Sequence, residues 1–175
     1  MRPAPASPQR VDQDEFKASM SRWTSGVTVV TTTDPAGRYH GFTASSFTAV
    51  SMAPPMVLVC LDREAACAPA FARSPWLGIH VLRRGQESLA RRFARKDTDK
   101  FAGVELTADP GIGGVPLLTG ALTRLECRVA SRVDAGDHLI LLAEVCRAFD
   151  GGHPTGDPLV YYHRAFHAIG GNGPS

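Results

Sequence analysis

The sequence of 175 residues predicts one mainly β domain, a barrel or closed sheet with helices laid on its outside. Two observations carry this prediction. Two pairs of β-branched or apolar runs are each separated by turn residues, as in β-hairpins. Further runs bring the total to about six or seven strands, against two or three helices. Because hairpins link neighbouring strands, most of the sheet should be antiparallel.

The first predicted element is a short N-terminal helix. Asp12 and Glu15 have the spacing of a capping box. One face of the helix carries large apolar residues at helical spacing: Phe16, Met20 and Trp23.

The first hairpin follows this helix. Its strands are the β-branched run GVTVVTTT, which begins at Gly26, and a run that begins near Tyr39, and the turn between them is DPAGR. The later run PMVLVCLD at 55–62 is apolar at positions of both faces, which predicts a third strand at the centre of the sheet.

The middle of the chain mixes helices, a strand and a loop. Residues 64–73 are predicted to be partly helical, although Pro69 weakens the pattern. WLGIHVL at 76–82 is typical of a strand, and GQESLARRFARK at 85–96 of a helix with Leu89 and Phe93 on its inner face. The Gly- and Pro-rich stretch 109–120 is predicted to be a loop.

The C-terminal part predicts a second hairpin and a closing strand. ALTRLECRVASRV and HLILLAEVCRAF flank the turn sequence AGD, and DPLVYYHRAFHAI at 157–169 is interpreted as one strand. Residues 12–170 are therefore expected to form the domain, with a disordered tail at 1–11 and a flexible C-terminus at 171–175.

Charge and composition exclude several classes of protein. Nineteen basic and 17 acidic side chains leave a net charge of +2, so nothing favours nucleic acid or an anionic membrane surface as a partner. The first ten residues hold three prolines and no apolar run of the kind a signal peptide needs. The four cysteines form no C-x-x-C pair and are expected to be free thiols in a cytoplasmic protein.

Common catalytic motifs are absent from the sequence. GIGGVP at 111–116 lacks the third glycine of a dinucleotide fingerprint, and neither a phosphate-binding P-loop nor G-x-S-x-G occurs. His163 and His167 stand four residues apart but without H-E-x-x-H, so no metal site is expected. One basic cluster remains, and it is interpreted as a solvated helix face or, alternatively, a phosphate contact: Arg91, Arg92, Arg95, Lys96 and Lys100.

Two stretches remain as candidates for function. GFTASSFTAVSMAPPMVLVCL at 41–61 places five hydroxyl residues beside an apolar strand, where they need backbone or ligand partners. In AGDHLILLAEV, His138 begins a strand directly after a turn. Asp137 could tune its protonation, but neighbours within a strand point to opposite faces.

These two stretches, with RRFARKDTDKFAGVEL between them, resemble in order and spacing the flavin reductase family of two-component monooxygenases. The resemblance runs from about Asp14 to Ala168, and is greatest to the FMN:NADH oxidoreductase components of aromatic polyketide antibiotic biosynthesis. It implies a flavin-binding split β-barrel, a homodimer, FMN or FAD and NADH or NADPH as cofactors, and a separate monooxygenase that receives reduced flavin.

The resemblance also implies the site residues. The hydroxyl-rich segment and the strand after it would hold the flavin: Thr43, Ala44, Ser45, Ser46, Ser51, Cys60 and Leu61. The basic segment would contribute Phe93, Phe101 and a cation for the phosphate, with Lys100 preferred to Arg92. His138 would lie beside the nicotinamide and orient it, and Tyr162 in the closing strand would approach the same pocket.

The implied reaction is hydride transfer from the nicotinamide to the flavin, in which the protein supplies stacking and distance. Ala143 stands where many relatives carry glycine, inside a strand. Two alternatives stay open at this point: a different flavin oxidase on the same fold, and an electron carrier that holds FMN tightly.

Overall fold

The computed structural model describes residues 10–96, 99–150 and 156–169. Most of the predicted tail at 1–11, and the predicted flexible end at 171–175, lie outside these residues. The described α-helices are α1 (Gln13–Met20), α2 (Ala68–Arg73) and α3 (Glu87–Ala94), and Ile112–Gly114 form a short 3-10 helix. The described strands are β1 (Ser25–Gly26), β2 (Thr28–Thr33), β3 (Tyr39–Ala44), β4 (Thr48–Met52), β5 (Pro55–Asp62), β6 (Trp76–Val81), β7 (Thr123–Ala135), β8 (His138–Asp150), β9 (Leu159–Tyr162) and β10 (Ala165–Ala168).

Seven strands form one antiparallel sheet in the order β3-β2-β6-β7-β8-β5-β4. The other three form a small sheet in the order β1-β9-β10. Backbone hydrogen bonds join the two sheets, from Val27 to Leu159 and from Leu82 to Val27. The mainly β, split-barrel class is confirmed, and so are the hairpins β2–β3 and β7–β8.

Strand β2 separates two hydrophobic cores. Val30 packs into the larger core with Phe42, Phe71 and Ile79, whereas its neighbour Val29 packs into a second core. That second core lies beneath α3 and contains Phe93, which is fully buried. Adjacent residues of a strand point to opposite faces, so one strand serves both cores.

The buried and half-buried hydroxyls of β2 are bonded to backbone carbonyls. Thr31 and Thr33 donate to Pro116 and Gly114 at 2.7 and 2.6 Å, which ties the predicted loop 109–120 onto the sheet. A buried hydroxyl without such a partner would be costly. The β-branched run therefore both fills the core and anchors this loop.

His80 on β6 is a fully buried histidine with both ring nitrogens bonded. Its Nδ1 donates to the carbonyl of Val29 at 3.0 Å, so Nε2 is the acceptor for the amide of Leu118, also at 3.0 Å. This pairing requires the neutral ring. Burial, with a smaller contribution from Arg124, lowers the pKa of His80 to about 4.

The prediction that residues 55–62 form a central strand was wrong. Strand β5 is second from the edge, between β8 and β4. Its side chains alternate between buried and half-buried, so only one face belongs to the core. The residues on its other face are mostly apolar but only half-buried. Apolar residues on both faces therefore do not place β5 at the centre of the sheet.

The prediction of a single closing strand at 157–169 was also wrong. Strands β9 and β10 form a third hairpin, with a turn at His163 and Arg164, both of which have positive φ. A further split occurs after Ala44, where the chain leaves β3 before β4 begins at Thr48. With a third break at Val27, between β1 and β2, they raise the number of described strands to ten, above the predicted six or seven.

The N-terminal helix is present, but its predicted cap is not. Asp12 occupies the N-cap position of α1 without a side-chain hydrogen bond to the helix. The predicted apolar residues do not reach the core, since Phe16, Met20 and Trp23 are 56%, 49% and 71% exposed. Across the described residues, no helix is long and apolar enough to cross a membrane.

Candidate active site

A cavity of about 280 Å³ opens where β3, β5 and the end of α3 meet. We call it the serine pocket. Nine of the predicted site residues line it: Thr43, Ala44, Ser45, Ser46, Cys60, Leu61, Phe93, Lys100 and His138. These residues come from four separate parts of the chain, and the fold brings them to one place.

Ser46 closes the gap that forms when the chain leaves β3. Its hydroxyl accepts a hydrogen bond from the amide of Cys60 at 3.0 Å and lies 3.2 Å from the Cys60 carbonyl, to which it donates. Strand β4 pairs with β5 only as far as Leu58, so beyond that point the Ser46 hydroxyl replaces the backbone partner of Cys60. Ser46 therefore fixes the rim of the pocket through the backbone.

Thr43 attaches α3 to the sheet. Its hydroxyl donates to the carbonyl of Ala90 at 2.6 Å. Gly41 permits the close approach, because a Cβ at this position would lie 2.6 Å from the Phe93 ring. The aromatic wall of the pocket therefore depends on a glycine two residues before the hydroxyl segment.

Ser45 differs from its two neighbours. It is exposed at the rim, and among the described residues its hydroxyl has no hydrogen-bond partner. Of the three hydroxyls that line the pocket, it is the one that remains available to a ligand.

Lys100 reaches over the pocket from the segment after α3. Its ammonium group donates to the carbonyls of Gly41 and Phe93, each at 2.9 Å. Partial burial lowers the pKa of Lys100, while the nearby Cys67 opposes that shift. An ammonium has three donors, so one proton remains for an anion in the pocket.

The pocket is positively charged overall. Arg95, Lys96 and Lys100 line it, against a single lining carboxylate, that of Asp62. The sequence analysis interpreted the basic cluster as a solvated helix face or a phosphate contact, and of these three cations it assigned only Lys100 to the site. Helix α3 ends at Ala94, so Arg95 and Lys96 lie on the segment that follows and turns over the pocket.

His138 lies at the last rung of the β5–β8 ladder, opposite Asp62. Its Nδ1 is 2.7 Å from the Asp137 carboxylate, and the hydrogen bond lowers the pKa of Asp137. The expectation that these neighbours point apart was wrong, because Asp137 belongs to the turn and not to the strand. Asp137 therefore fixes the ring of His138 and leaves its Nε2 edge for the pocket.

Four predicted site residues lie outside the serine pocket. Arg92 donates to the carbonyl of Ala102 and lines a different cavity. Phe101 packs edge-on against Phe93, with ring centroids 5.0 Å apart, and so supports the wall from behind. Ser51 lies in β4 at a bulge, and Tyr162 is an exposed residue of β9.

Several lining residues escaped the sequence analysis: Phe42, Asp62, Ala65, Ala66, Ala94, Arg95 and Lys96. Phe42 precedes the hydroxyl segment and could have been included with it. Ala65 and Ala66 carry no chemical signal, since small side chains contribute only space.

The donor set suits a phosphate attached to a flat ring. The cations and Ser45 offer donors to a phosphate, and Phe42, Leu61 and Phe93 offer an apolar wall. FMN, which the resemblance implies, has both parts. Among the described residues there is no cluster of side chains that could hold a metal ion.

Comparison with known proteins also indicates a flavin-binding protein. Residues 20–170 match the family described as flavin reductase like domain. The chain is 45% identical over 158 residues to an actinorhodin polyketide dimerase of Streptomyces coelicolor, covering 90% of this chain and 87% of that protein. It is 40% identical over 163 residues to an NADH:riboflavin 5'-phosphate oxidoreductase of Streptomyces pristinaespiralis, covering 93% and 91%.

A solved structure extends the comparison to the fold. Component B of a nitrilotriacetate monooxygenase from Mycobacterium thermoresistibile superposes with a TM-score of 0.85 at 29% identity. The match covers 93% of this chain and 90% of that one.

Proposed function

The chain belongs to the flavin reductase-like family, and we propose that its serine pocket binds the flavin that it reduces. It is an NADH-dependent flavin reductase that reduces FMN by hydride transfer and supplies reduced flavin to a separate monooxygenase. The observation that carries the assignment of the site is the meeting of three cations, a free hydroxyl and an aromatic wall in one pocket.

In this proposal the polar rim holds the phosphate of FMN. Lys100 has one proton left after its two backbone hydrogen bonds, and Arg95 and Lys96 add positive charge at the same rim. Charge-assisted hydrogen bonds to phosphate are the strong ones. A dianion at this position would offset the burial that lowers the pKa of Lys100.

The protein itself acts by position. FMN in this pocket would supply the acceptor for the hydride of NADH, and that single transfer would need no proton from a side chain. Phe93 and Leu61 exclude water from one wall of the pocket, and His138 contributes a polar edge at the last rung of the β5–β8 ladder, one rung beyond Leu61. Holding two rings at reacting distance can account for much of the acceleration.

His138 serves as a positioning group for the nicotinamide or for negative charge on the reduced ring. Its hydrogen bond to Asp137 at 2.7 Å orients the imidazole before a ligand arrives. Because Asp137 is exposed, the pair remains accessible from the mouth of the pocket.

We also propose that two copies associate as a homodimer. Large apolar side chains are exposed on the edge strand β4, where Val50 and Met52 are 49% and 88% exposed. Contiguous exposed apolar surface marks interaction sites in proteins. The partner oxygenase is a second proposed partner, because the relatives include a monooxygenase component.

NADH oxidation with and without added FMN tests the function. We expect flavin-stripped protein to oxidise NADH at background rate and to gain full activity with free FMN, and FMN to serve at least as well as FAD. Full activity without added flavin would instead favour a tightly bound prosthetic group. Absence of NADH oxidation under both conditions would refute the reductase.

A further inference from the structure

A second cavity adjoins the serine pocket and shares Ser45 and Ser46 with it. Its volume is about 480 Å³. We call it the aromatic cleft, because large apolar side chains dominate its walls: Phe16, Met20, Trp23 and Tyr161. A molecule bound along the cleft can therefore contact, at the two serines, a second molecule bound in the serine pocket.

The side chains that line the aromatic cleft include two cations. Lys17 and Arg164 are among its lining residues, and no carboxylate of the described residues is. Lys17 lies 3.7 Å from the carboxylate of Asp14, an exposed ion pair of the kind that contributes little. Within the described part of the chain, the side chain of Arg164 has no hydrogen bond or ion pair. The cleft therefore combines aromatic surface with a cation available to an anion.

The backbone holds Arg164 at this place. His163 and Arg164 form the β9–β10 turn with φ of 49° and 60°. Such turns normally use Asn or Gly, since other side chains are strained there. The amide of His163 donates to the carbonyl of Ser21 at 2.8 Å, directly after α1. This bond ties the turn to the helix that carries Lys17, so both cations face the same cleft.

We propose that the aromatic cleft binds the adenosine diphosphate half of a dinucleotide. Arg164 takes the pyrophosphate, Lys17 adds charge, and the aromatic walls pack against the adenine. The proposal rests on the proposed function, in which the flavin ring occupies the adjoining serine pocket. Both NADH and FAD carry this half, and FMN does not. The position of the cleft at Ser45 and Ser46 suits a molecule whose other end reaches the flavin ring.

Steady-state kinetics of Arg164→Gln provide the test, with Arg22→Gln as the matched control. Arg22 is exposed just after α1 and does not line the cleft. The donors are NADH and reduced nicotinamide mononucleotide, which lacks the adenosine half, and the acceptors are FMN and FAD. We expect Arg164→Gln to raise the KM of a dinucleotide about tenfold, because a charge-assisted hydrogen bond is lost. The KM values for reduced nicotinamide mononucleotide with FMN should be unchanged in Arg164→Gln. In Arg22→Gln the KM values should be unchanged for every combination of donor and acceptor.

The arms of the experiment identify the source of the adenosine half. A raised KM for NADH with FMN assigns the cleft to the nicotinamide dinucleotide, and a raised KM for FAD alone assigns it to the flavin. An unchanged KM for both dinucleotides would overturn the proposal. So would an equal loss with the mononucleotide and FMN, since that would indicate a structural role.

A binding measurement separates this proposal from the reductase function. Adenosine diphosphate alone should quench the fluorescence of Trp23 in the cleft and bind about tenfold more weakly to Arg164→Gln. Lys17→Gln, on the exposed face of α1, gives the same test if the turn variant does not fold. Failure of the wild type to bind adenosine diphosphate would refute the cleft site even if NADH oxidation is normal. Inactive wild-type protein that binds it would refute only the reductase.

Discussion

The hydroxyl of Ser46 lies between the amide and the carbonyl of Cys60, 3.0 Å from the nitrogen and 3.2 Å from the oxygen. Both of its hydrogen bonds are therefore directed to the backbone of β5. Its neighbour Ser45 lines the same pocket with no such partner among the described residues. Two adjacent serines thus have different roles, one in the rim and one toward the ligand.

Ser46→Ala should reduce stability more than Ser45→Ala. Removing the Ser46 hydroxyl leaves two backbone groups of Cys60 without a partner, at a cost of about 1–3 kcal/mol. Urea unfolding of both variants measures the difference. Ser45→Ala should keep wild-type stability and weaken FMN binding, which fluorescence titration reports. Equal stabilities would remove Ser46 from this structural role.

Lys100→Met should weaken FMN binding by about tenfold, because the pocket loses a charged donor to phosphate. Riboflavin, which lacks the phosphate, is the control ligand, and its affinity should change much less. The comparison within one variant cancels any loss of packing from the backbone bonds of Lys100. An equal loss for both flavins would place the phosphate elsewhere.

His138→Ala should lower kcat/KM for NADH by about tenfold to a hundredfold, or about 1.4–2.7 kcal/mol of transition-state stabilisation. FMN affinity should stay nearly unchanged, because the role of the imidazole is to orient the nicotinamide. NADH kinetics, the Kd of FMN and Tm on one purified variant are the measurements. A fall in Tm with equal losses for both substrates would make His138 a turn residue only.

The stability of the protein should fall in mild acid because of His80. Its folded-state pKa is lowered to about 4 from 6.5. Below pH 6.5 the unfolded chain takes up a proton that the folded chain refuses, so stability decreases as pH falls toward 4 and is constant above 6.5. The total is about 3 kcal/mol. Urea unfolding of wild type and His80→Gln at about pH 7.5 and about pH 4.5, on either side of the unfolded-state pKa, measures this loss of stability. If the unfolding free energy of the wild type depends on pH no more steeply than that of the variant, His80 is not the cause of the acid sensitivity.

Gly41→Ala should destabilise the protein by about 1–3 kcal/mol and impair flavin binding together. The new methyl group would lie 2.6 Å from the ring of Phe93, which is fully buried and lines the serine pocket. Gly26→Ala is the control, since a Cβ there meets nothing within 4 Å. Thermal unfolding and FMN titration of the pair should separate them clearly.

Local patterns predicted most strands of the fold, whereas the split-barrel architecture and the pocket residues were implied by the family resemblance. Alternating and β-branched runs predict strands well, and the turn residues around Gly136 fixed the β7–β8 hairpin. The position of β5 was not predictable from its own residues, because its half-buried face is as apolar as a core face. Strand order depends on distant partners, and no local pattern records it.

The cationic rim of the serine pocket was predicted only in part, since Lys100 was assigned to the site while Arg95 and Lys96 were left between a helix face and a phosphate contact. Arg91 to Lys100 reads as one basic run, and only the end of α3 at Ala94 separates the helix from the segment over the pocket. The break between β9 and β10 was missed because His163 and Arg164 are unusual in a tight turn. Both errors concern residues that lie beside a cavity, where local preference gives way to the demands of the site.

Strand β2 places Val29 in one core and Val30 in the other. A single inserted or deleted residue within it would exchange the two faces, so that every side chain meant for one core would meet the other. Substitutions along this strand can be compensated one at a time, but a shift in length cannot. We therefore expect length changes among natural or engineered variants to accumulate in the loops and to be absent from residues 28–33.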